Sequence, residues 1–185
     1  LQGVTFTLHR NEILGLAGVA GNGQKELIET LVGVRKATRG KVSIEGEVIT
    51  HFSPRQTMLK GLGHIPDDRI SEGLVSEFSV AKNLMLGQQR DRPFRKGLFL
   101  DRDQINQHAQ ECVSSYEIAT PTLDSKTGFL SGGNLQKVIL ARELAIKPKI
   151  LLANQPTRGL DVGVIEYVWG KLLEKREDGD GILLA

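Results

Sequence analysis

"GVAGNGQKE", residues 18–26, sets Gly18, Gly21 and Gly23 between an apolar run and a helix-like segment. The run before it, "ILGLAG" from Ile13, reads as a short buried strand. The segment after it, "QKELIETLVG", places Leu27, Ile28, Leu31 and Val32 on one helical face and ends at Gly33, a residue favoured just past a helix. Strand, glycine loop and helix in that order let successive backbone N–H groups curl around an anion, with the helix N-terminus adding partial positive charge. The plainer reading of the same residues is an ordinary glycine-rich strand-to-helix turn.

The neighbouring segments extend the pattern. Upstream, Val4, Phe6 and Leu8 alternate with Thr5 and Thr7, predicting a strand that leads to a polar turn at Arg10-Asn11-Glu12. Downstream, "KVSIEGEVIT" alternates Val42, Ile44 and Val48 about Glu45-Gly46-Glu47, a hairpin signal, and residues 61–66 give a short apolar strand that stops at Pro66. From Ser79 to about Tyr116 the texture turns helical, with "SVAKNLMLG" and then "DRDQINQHAQECVSSY", where Asp101 and Gln104 have the spacing of a capping box. Strand chemistry returns at "KILLAN", and "VIEYVWGKLLEKRED" predicts a helix with apolar pairs at 164/165, 168/169 and 172/173, closed by Gly179.

Strands alternating with helices argue an α/β fold with a mostly parallel sheet core, a small antiparallel β region and an inserted helical subdomain. The expected division is a core of residues 1–78 and 147–185 and a helical subdomain of residues 79–146. The chain opens inside its first alternating run and stops inside the apolar run Ile182–Ala185, so further elements are expected on both sides.

Composition narrows the function classes. A chain of 185 residues can bury one core, with or without a subdomain, and 39% hydrophobic against 25% charged residues is the balance of a soluble globular domain. A net charge of +2 gives no case for a nucleic-acid tail or a polybasic membrane anchor. The single cysteine, Cys112, has no internal disulfide partner, which fits a reducing compartment. No apolar run approaches the roughly 18 to 20 residues of a membrane span, so any membrane role is expected to come through a partner. His9, His51, His64 and His108 lie apart with no metal-ligand spacing, so no metal site is predicted from them.

Two further stretches carry chemistry. "FLSGGNLQKVILAREL", residues 129–144, sets Ser131-Gly132-Gly133 directly before a helix with Leu135, Val138, Ile139 and Leu144 on its apolar face. Ser131 suits an N-cap, but two glycines after it suit a surface where backbone N–H groups touch a phosphate. "LLANQPTRGLD", residues 151–161, ends a strand in Asn154 and Gln155, where a nucleotide-binding fold usually presents two carboxylates. The glycine loop is altered in the same sense. Where G-x-x-x-x-G-K-[ST] needs a phosphate-binding lysine and a metal-binding hydroxyl, the chain has Gln24 and Lys25.

Leu130-Ser131-Gly132-Gly133, followed by Asn134 in place of a glutamine, resembles the signature of ABC-type ATP-binding domains, a class of P-loop NTPase. Together, "LSGGNLQKV", "PTRGLDVG" and "GLGHIPDDR" look most like the second, C-terminal ATP-binding domain of the double-domain proteins that energise bacterial importers of simple sugars and nucleosides. The resemblance spans nearly the whole chain, and "NQPTRGLDVG" leans toward the nucleoside branch. It implies two ATP-binding domains facing head to tail, each ATP held between the glycine loop of one and the signature of the other. By position it makes Gly18, Gly21, Asn22, Gly23, Gln24, Lys25 and Glu26 the nucleotide-binding loop and Ser131, Gly132, Gly133 and Asn134 the signature. Asn154 stands at the Walker B aspartate that orients Mg²⁺, Gln155 at the catalytic base, Asp67 at the Q-loop position and Asp161 in the D-loop. The family's switch histidine and adenine-stacking aromatic are expected beyond Ala185 and before Leu1. "SEFSVAKNL" resembles the entry to the subdomain that lines a groove for a membrane-subunit helix. The implied cofactor is ATP; the implied partners are a second ATP-binding domain of the same polypeptide and transmembrane permease subunits, with no nucleic acid. The implied location is the cytoplasmic face of the plasma membrane.

The substitutions then have a chemical meaning. Gln155 cannot accept a proton at neutral pH, and general-base help is worth about 10²–10⁴ in rate. Asn154 removes a formal charge from the metal's surroundings, and Gln24 removes the cation on the transferring phosphoryl group. Three losses fall on one step, so the chain's own site is expected to hydrolyse ATP poorly or not at all while its signature serves the partner's ATP. Lys25 either puts an ammonium in the metal's place beside Asn154 or points to solvent at an abandoned site. The alternative reading is a structural or regulatory module that binds no nucleotide. A DNA-repair or chromosome-organising ATPase with the same signature would need a long coiled-coil insertion that the chain lacks.

Overall fold

The computed structural model describes residues 3–19 and 21–185. In chain order the elements are β1 (Ile13–Gly15), α1 (Gln24–Leu31), β2 (Ser43–Ile44), β3 (Glu47–Val48), α2 (Pro54–Leu59), β4 (Leu62–Ile65), α3 (Val80–Met85), β5 (Arg95–Lys96), β6 (Phe99–Leu100), α4 (Arg102–Ser115), α5 (Gly132–Ala145), β7 (Ile150–Ala153), α6 (Val162–Glu177) and β8 (Gly181–Leu184). They fall into two compact units, one of Leu1–His64, Lys147–Gln155 and Gly170–Ala185, the other of Ile65–Ile146 and Pro156–Trp169.

The sheet runs in the order β1-β8-β7-β4. β8 is parallel to both neighbours, with Ile13 opposite Ile182 on one side and Ala153 opposite Leu184 on the other. The terminal apolar run therefore fills the middle of the sheet, where Ile182 and Leu183 are buried. That position explains its unbroken hydrophobicity, since a central parallel strand is covered on both faces. In the first unit Ile28 and Val32 of the α1 segment join Ile44, Ile49, Leu62, Leu152 and Leu183 in one cluster, Leu31 packs against it, and Leu27 is half-buried. The predicted helical face is the one that packs. Glu45 and Gly46 both take left-handed φ, 49° and 83°, in the two-residue turn of the β2–β3 hairpin, as its twist requires.

In the first unit two features differ from the sequence reading. No strand forms over residues 3–9, and Val4 and Phe6 are exposed. Alternation supplies a pattern but not a partner, and among the described residues β2 and β3 pair with each other. Helix α2 was not anticipated, although Ser53-Pro54 with Gln56 three residues after the serine is a helix-start pattern; Gln56 Oε1 accepts the Ser53 N–H at 2.9 Å.

The second unit packs α3, α4 and α5, with Val80, Leu84, Val138, Ile139 and Leu140 sealed from solvent. Asn83 is buried at its centre, where the carboxamide accepts the Val75 N–H at 2.9 Å and its Nδ2 lies 3.0 Å from both Val75 O and Thr127 Oγ1. A buried amide is tolerated because it replaces backbone partners of an irregular segment. Asp101 caps α4 through Oδ1, which accepts from Asp103 N and Gln104 N. The reciprocal half of the expected box is replaced by a bond from the Asp101 N–H to Phe94 O, which closes the β5–β6 hairpin, an element the sequence reading did not contain. α5 is covered more widely than one stripe, with Gln136, Leu140 and Ala141 buried beside the predicted face. In α6, Val168 and Leu172 are buried as the pairing predicts, while Leu173 stays exposed.

Candidate functional site

β1 delivers the chain to the glycine loop, and the last sheet bond, Leu16 N–H to Leu184 O at 2.7 Å, fixes where the loop begins. Gly21 and Gly23 take φ of 90° and 95°, a region that side chains rarely adopt, and Gly23 is the residue before α1. Ala20 lies outside the described residues. Asn22, Lys25 and Glu26 are exposed. Gln24 turns back on the loop, where its Nε2 donates to Leu16 O at 3.0 Å. A Cβ on Gly18 would stand 3.1 Å from that nitrogen, so the first glycine makes room for the Gln24 amide. The first N–H groups of a helix have no intrahelical acceptors, so the start of α1 is the part of this segment that can meet an anion.

β7 ends in the amide pair. Asn154 is 8% exposed, and Gln155 is exposed with φ 44°, its N–H bonded to Ala185 O at 2.8 Å. A glutamine held in the left-handed region carries local strain that the bond to the sheet end offsets. The glycine loop follows β1 and the amide pair follows β7, both at the C-terminal ends of strands that flank β8. That edge of an open parallel sheet is where α/β folds place ligands. A metal finds no anionic side chain at Lys25 or Asn154. Among the described residues no group of three His, Cys, Asp or Glu is placed to hold a metal ion.

The second unit holds the remaining predicted residues. Asp68 Oδ1 accepts from Ile70 N and Ser71 N at 3.0 Å and starts a single π-helical turn at Arg69–Gly73. Half-buried Asp67 lies 4.0 Å from the exposed Arg158 guanidinium, a long contact worth little by itself. Arg69 Nη2 donates to Arg158 O at 2.8 Å and so ties the segment at Asp67 to the "PTRGLD" loop. Sequence reading gave neither arginine a role, and only their motif context marked them. Asp161 Oδ1 accepts the Val164 N–H at 3.0 Å and caps the start of α6.

Ser131 caps α5 as expected, accepting from Asn134 N at 3.4 Å and from Asn134 Nδ2 at 3.0 Å. Asn134 Oδ1 in turn accepts the Ala119 N–H at 2.8 Å, so the position that departs from the signature is tied into its own unit at both ends. The two glycines have different reasons to be glycine. A Cβ on Gly133 would lie 2.8 Å from Val164 Cγ2, whereas a Cβ on Gly132 would meet nothing within 4 Å. Packing accounts for Gly133 and leaves Gly132 as the open face.

Half-buried His108 and buried Cys112 form a separate pair, with Cys112 Sγ 3.6 Å from His108 Nε2 and the His108 ring edge-on to Phe94. Burial lowers the His108 pKa and pushes the Cys112 thiol up to about 11, so this thiol is inert packing.

A family model described as "ABC transporter" matches residues 1–158. The chain is 40% identical to Glucose import ATP-binding protein TsgD13 of Haloferax volcanii, 40% to Guanosine import ATP-binding protein NupO of Bacillus subtilis and 35% to Ribose import ATP-binding protein RbsA of Streptococcus agalactiae. Each match covers 100% of this chain but 34%, 36% and 37% of the relative, so the chain spans about a third of the length of these curated relatives. Among solved structures it is similar to a nucleotide-free ATP-binding cassette from an ABC transporter, with a TM-score of 0.79 and 25% identity over 100% of this chain and 74% of that one. A dimeric cassette in a post-hydrolysis state bound to ADP and Pi gives a TM-score of 0.80 at 25% identity, with 100% and 78% covered.

Proposed function

Because the chain belongs to the ABC transporter family, we propose that it is an ATP-binding domain of an importer for a simple sugar or a nucleoside, the second of two such domains in one polypeptide. Relatives named for glucose, guanosine and ribose import support the solute class. Its own nucleotide site is impaired, and its signature completes the site of the partner domain. Work with permease subunits places it at the cytoplasmic face of the membrane, and no helix among the described residues is long and apolar enough to cross a membrane by itself.

The observation that carries this reading is the Gln24–Leu16 bond. The side chain at the phosphate-gripping position carries no charge and already has a backbone acceptor, so binding a phosphate through it means giving up one hydrogen bond for another of similar strength. ATP, when bound, supplies the phosphoryl group whose transfer powers transport. The loop backbone would hold its phosphates; Gln155, an amide, takes no proton from a water; Asn154 offers a dipole where a charge is usual. Ser131 and the open Gly132 remain available to a nucleotide on a partner domain, with D-loop Asp161 fixed at the start of α6.

The same bond favours a second reading, a module that binds no nucleotide. Titration of the chain with a fluorescent ATP analogue, with and without Mg²⁺, separates the two. The proposal expects saturable binding with background-level hydrolysis, and binding without Mg²⁺ that weakens in Lys25→Thr if the ammonium stands in for the metal. Brisk Mg²⁺-dependent turnover by the chain alone contradicts it.

A further inference from the structure

The chain's net charge of +2 conceals a local concentration. The connection between α3 and α4 holds Arg90, Arg92, Arg95 and Lys96 against Asp91 and Asp101, an excess equal to that of the whole chain. Asp101 spends Oδ1 on the helix cap. The same connection carries the most exposed apolar cluster of the second unit, with Leu98 89%, Phe99 79% and Leu100 49% exposed. Three consecutive large apolar residues in water are not explained by folding.

The hairpin that displays them is rigidly based. Phe94 is buried edge-on to the His108 ring at 5.1 Å between centroids, and the Asp101 N–H closes the base on Phe94 O at 3.0 Å. Gly97, with φ 67°, turns the chain at the tip. Cross-strand pairing then sets Arg95 opposite Leu100 and Lys96 opposite Phe99. Directly paired residues share a face, so each face of the ribbon carries one cation beside one apolar side chain. β5 is the basic edge; β6 and the turn are the apolar edge.

We propose that the β5–β6 hairpin is a contact for an anionic lipid surface, with Leu98, Phe99 and Leu100 entering the boundary between headgroups and acyl chains and Arg95 and Lys96 meeting lipid phosphates. Charge complementarity selects this occupant. A cation stands against each apolar residue of the ladder, and flexible Lys and Arg stems reach anionic headgroups while their neighbours insert. The assignment stands independently of the transported solute and of nucleotide chemistry.

The test is co-sedimentation of the full chain with vesicles of phosphatidylcholine alone or with phosphatidylglycerol added, at low and high salt. Binding is expected only to the anionic vesicles, weakening with salt. The double substitutions Leu98→Ser with Phe99→Ser, and Arg95→Glu with Lys96→Glu, should each lower the bound fraction at least fivefold with unchanged circular dichroism and melting. Phe99→Trp in a Trp169→Phe background should shift its emission to the blue on anionic vesicles. Absence of vesicle binding, equal binding to neutral vesicles, or binding that neither double substitution changes overturns the proposal. Loss of permease-stimulated ATP turnover in these variants without any vesicle binding makes the hairpin a protein contact and overturns it as well.

Discussion

Gln24 Nε2 donates to the carbonyl of Leu16 across 3.0 Å, and the same nitrogen stands 3.1 Å from where a Cβ on Gly18 would be. One side chain thus closes on both the strand exit and the first glycine of the loop, and under the proposed function the grip on phosphate falls to the backbone.

Restoring the cation should therefore strengthen binding. Charge-assisted hydrogen bonds contribute about 1.5–3 kcal/mol against roughly 1 for neutral ones, so Gln24→Lys should tighten a fluorescent ATP analogue by about twofold to thirtyfold. An unchanged dissociation constant in that titration would mean that the loop does not hold the phosphates.

Most of the fold was legible because its signals are local. The glycine loop, α1, the β2–β3 hairpin, the Asp101 and Ser131 caps and the apolar β8 each carry their own chemistry in a few residues. What was not legible depended on partners. Val4–Leu8 alternates like a strand but joins no ladder among the described residues, and the β5–β6 hairpin rests on a bond from Asp101 to Phe94 that no periodicity announces. The site divides in the same way. Asn154, Gln155 and Gln24 could be named from motif positions, whereas the Gln24–Leu16 bond, the Arg69 tie to Arg158 O and the difference between Gly132 and Gly133 are tertiary facts.

Gly133→Ala should destabilise the fold. The new methyl would lie 2.8 Å from Val164 Cγ2, and a β-branched side chain in a helix has little rotamer freedom to yield. Overpacking of this kind costs about 1–3 kcal/mol, read as a shift in the urea midpoint, and Val164→Ala should recover most of it.

Asn83→Ala removes the acceptor for Val75 N–H and a donor within 3.0 Å of Val75 O and Thr127 Oγ1. Val75 O keeps the Phe78 N–H at 2.8 Å and Thr127 Oγ1 at 3.2 Å, so the Val75 N–H is the group left without its acceptor, and denaturant unfolding should show a loss of about 1–3 kcal/mol. Asn83→Leu should do no better, since volume is not what the site lacks.

His108 makes stability depend on pH. Burial lowers its folded pKa from the usual 6.5, so between the folded and unfolded values the unfolded chain binds more protons. Its contribution is present above the unfolded pKa and is lost as pH falls through that value toward the folded one. Urea midpoints should drop as the pH falls below about 6.5, and by less in His108→Gln.

The most direct test is ATP turnover by the complete polypeptide reconstituted with its permease, comparing Gly132→Asp with Gln155→Ala. Gly132 has no atom within 4 Å of its would-be Cβ, so an aspartate there alters the presented face without disturbing the packing beneath. The account predicts a loss of at least about 10² in rate for Gly132→Asp, from a carboxylate aimed at the partner's nucleotide, and a rate within twofold of the parent for Gln155→Ala. Turnover that survives Gly132→Asp, or that collapses in Gln155→Ala, would contradict it.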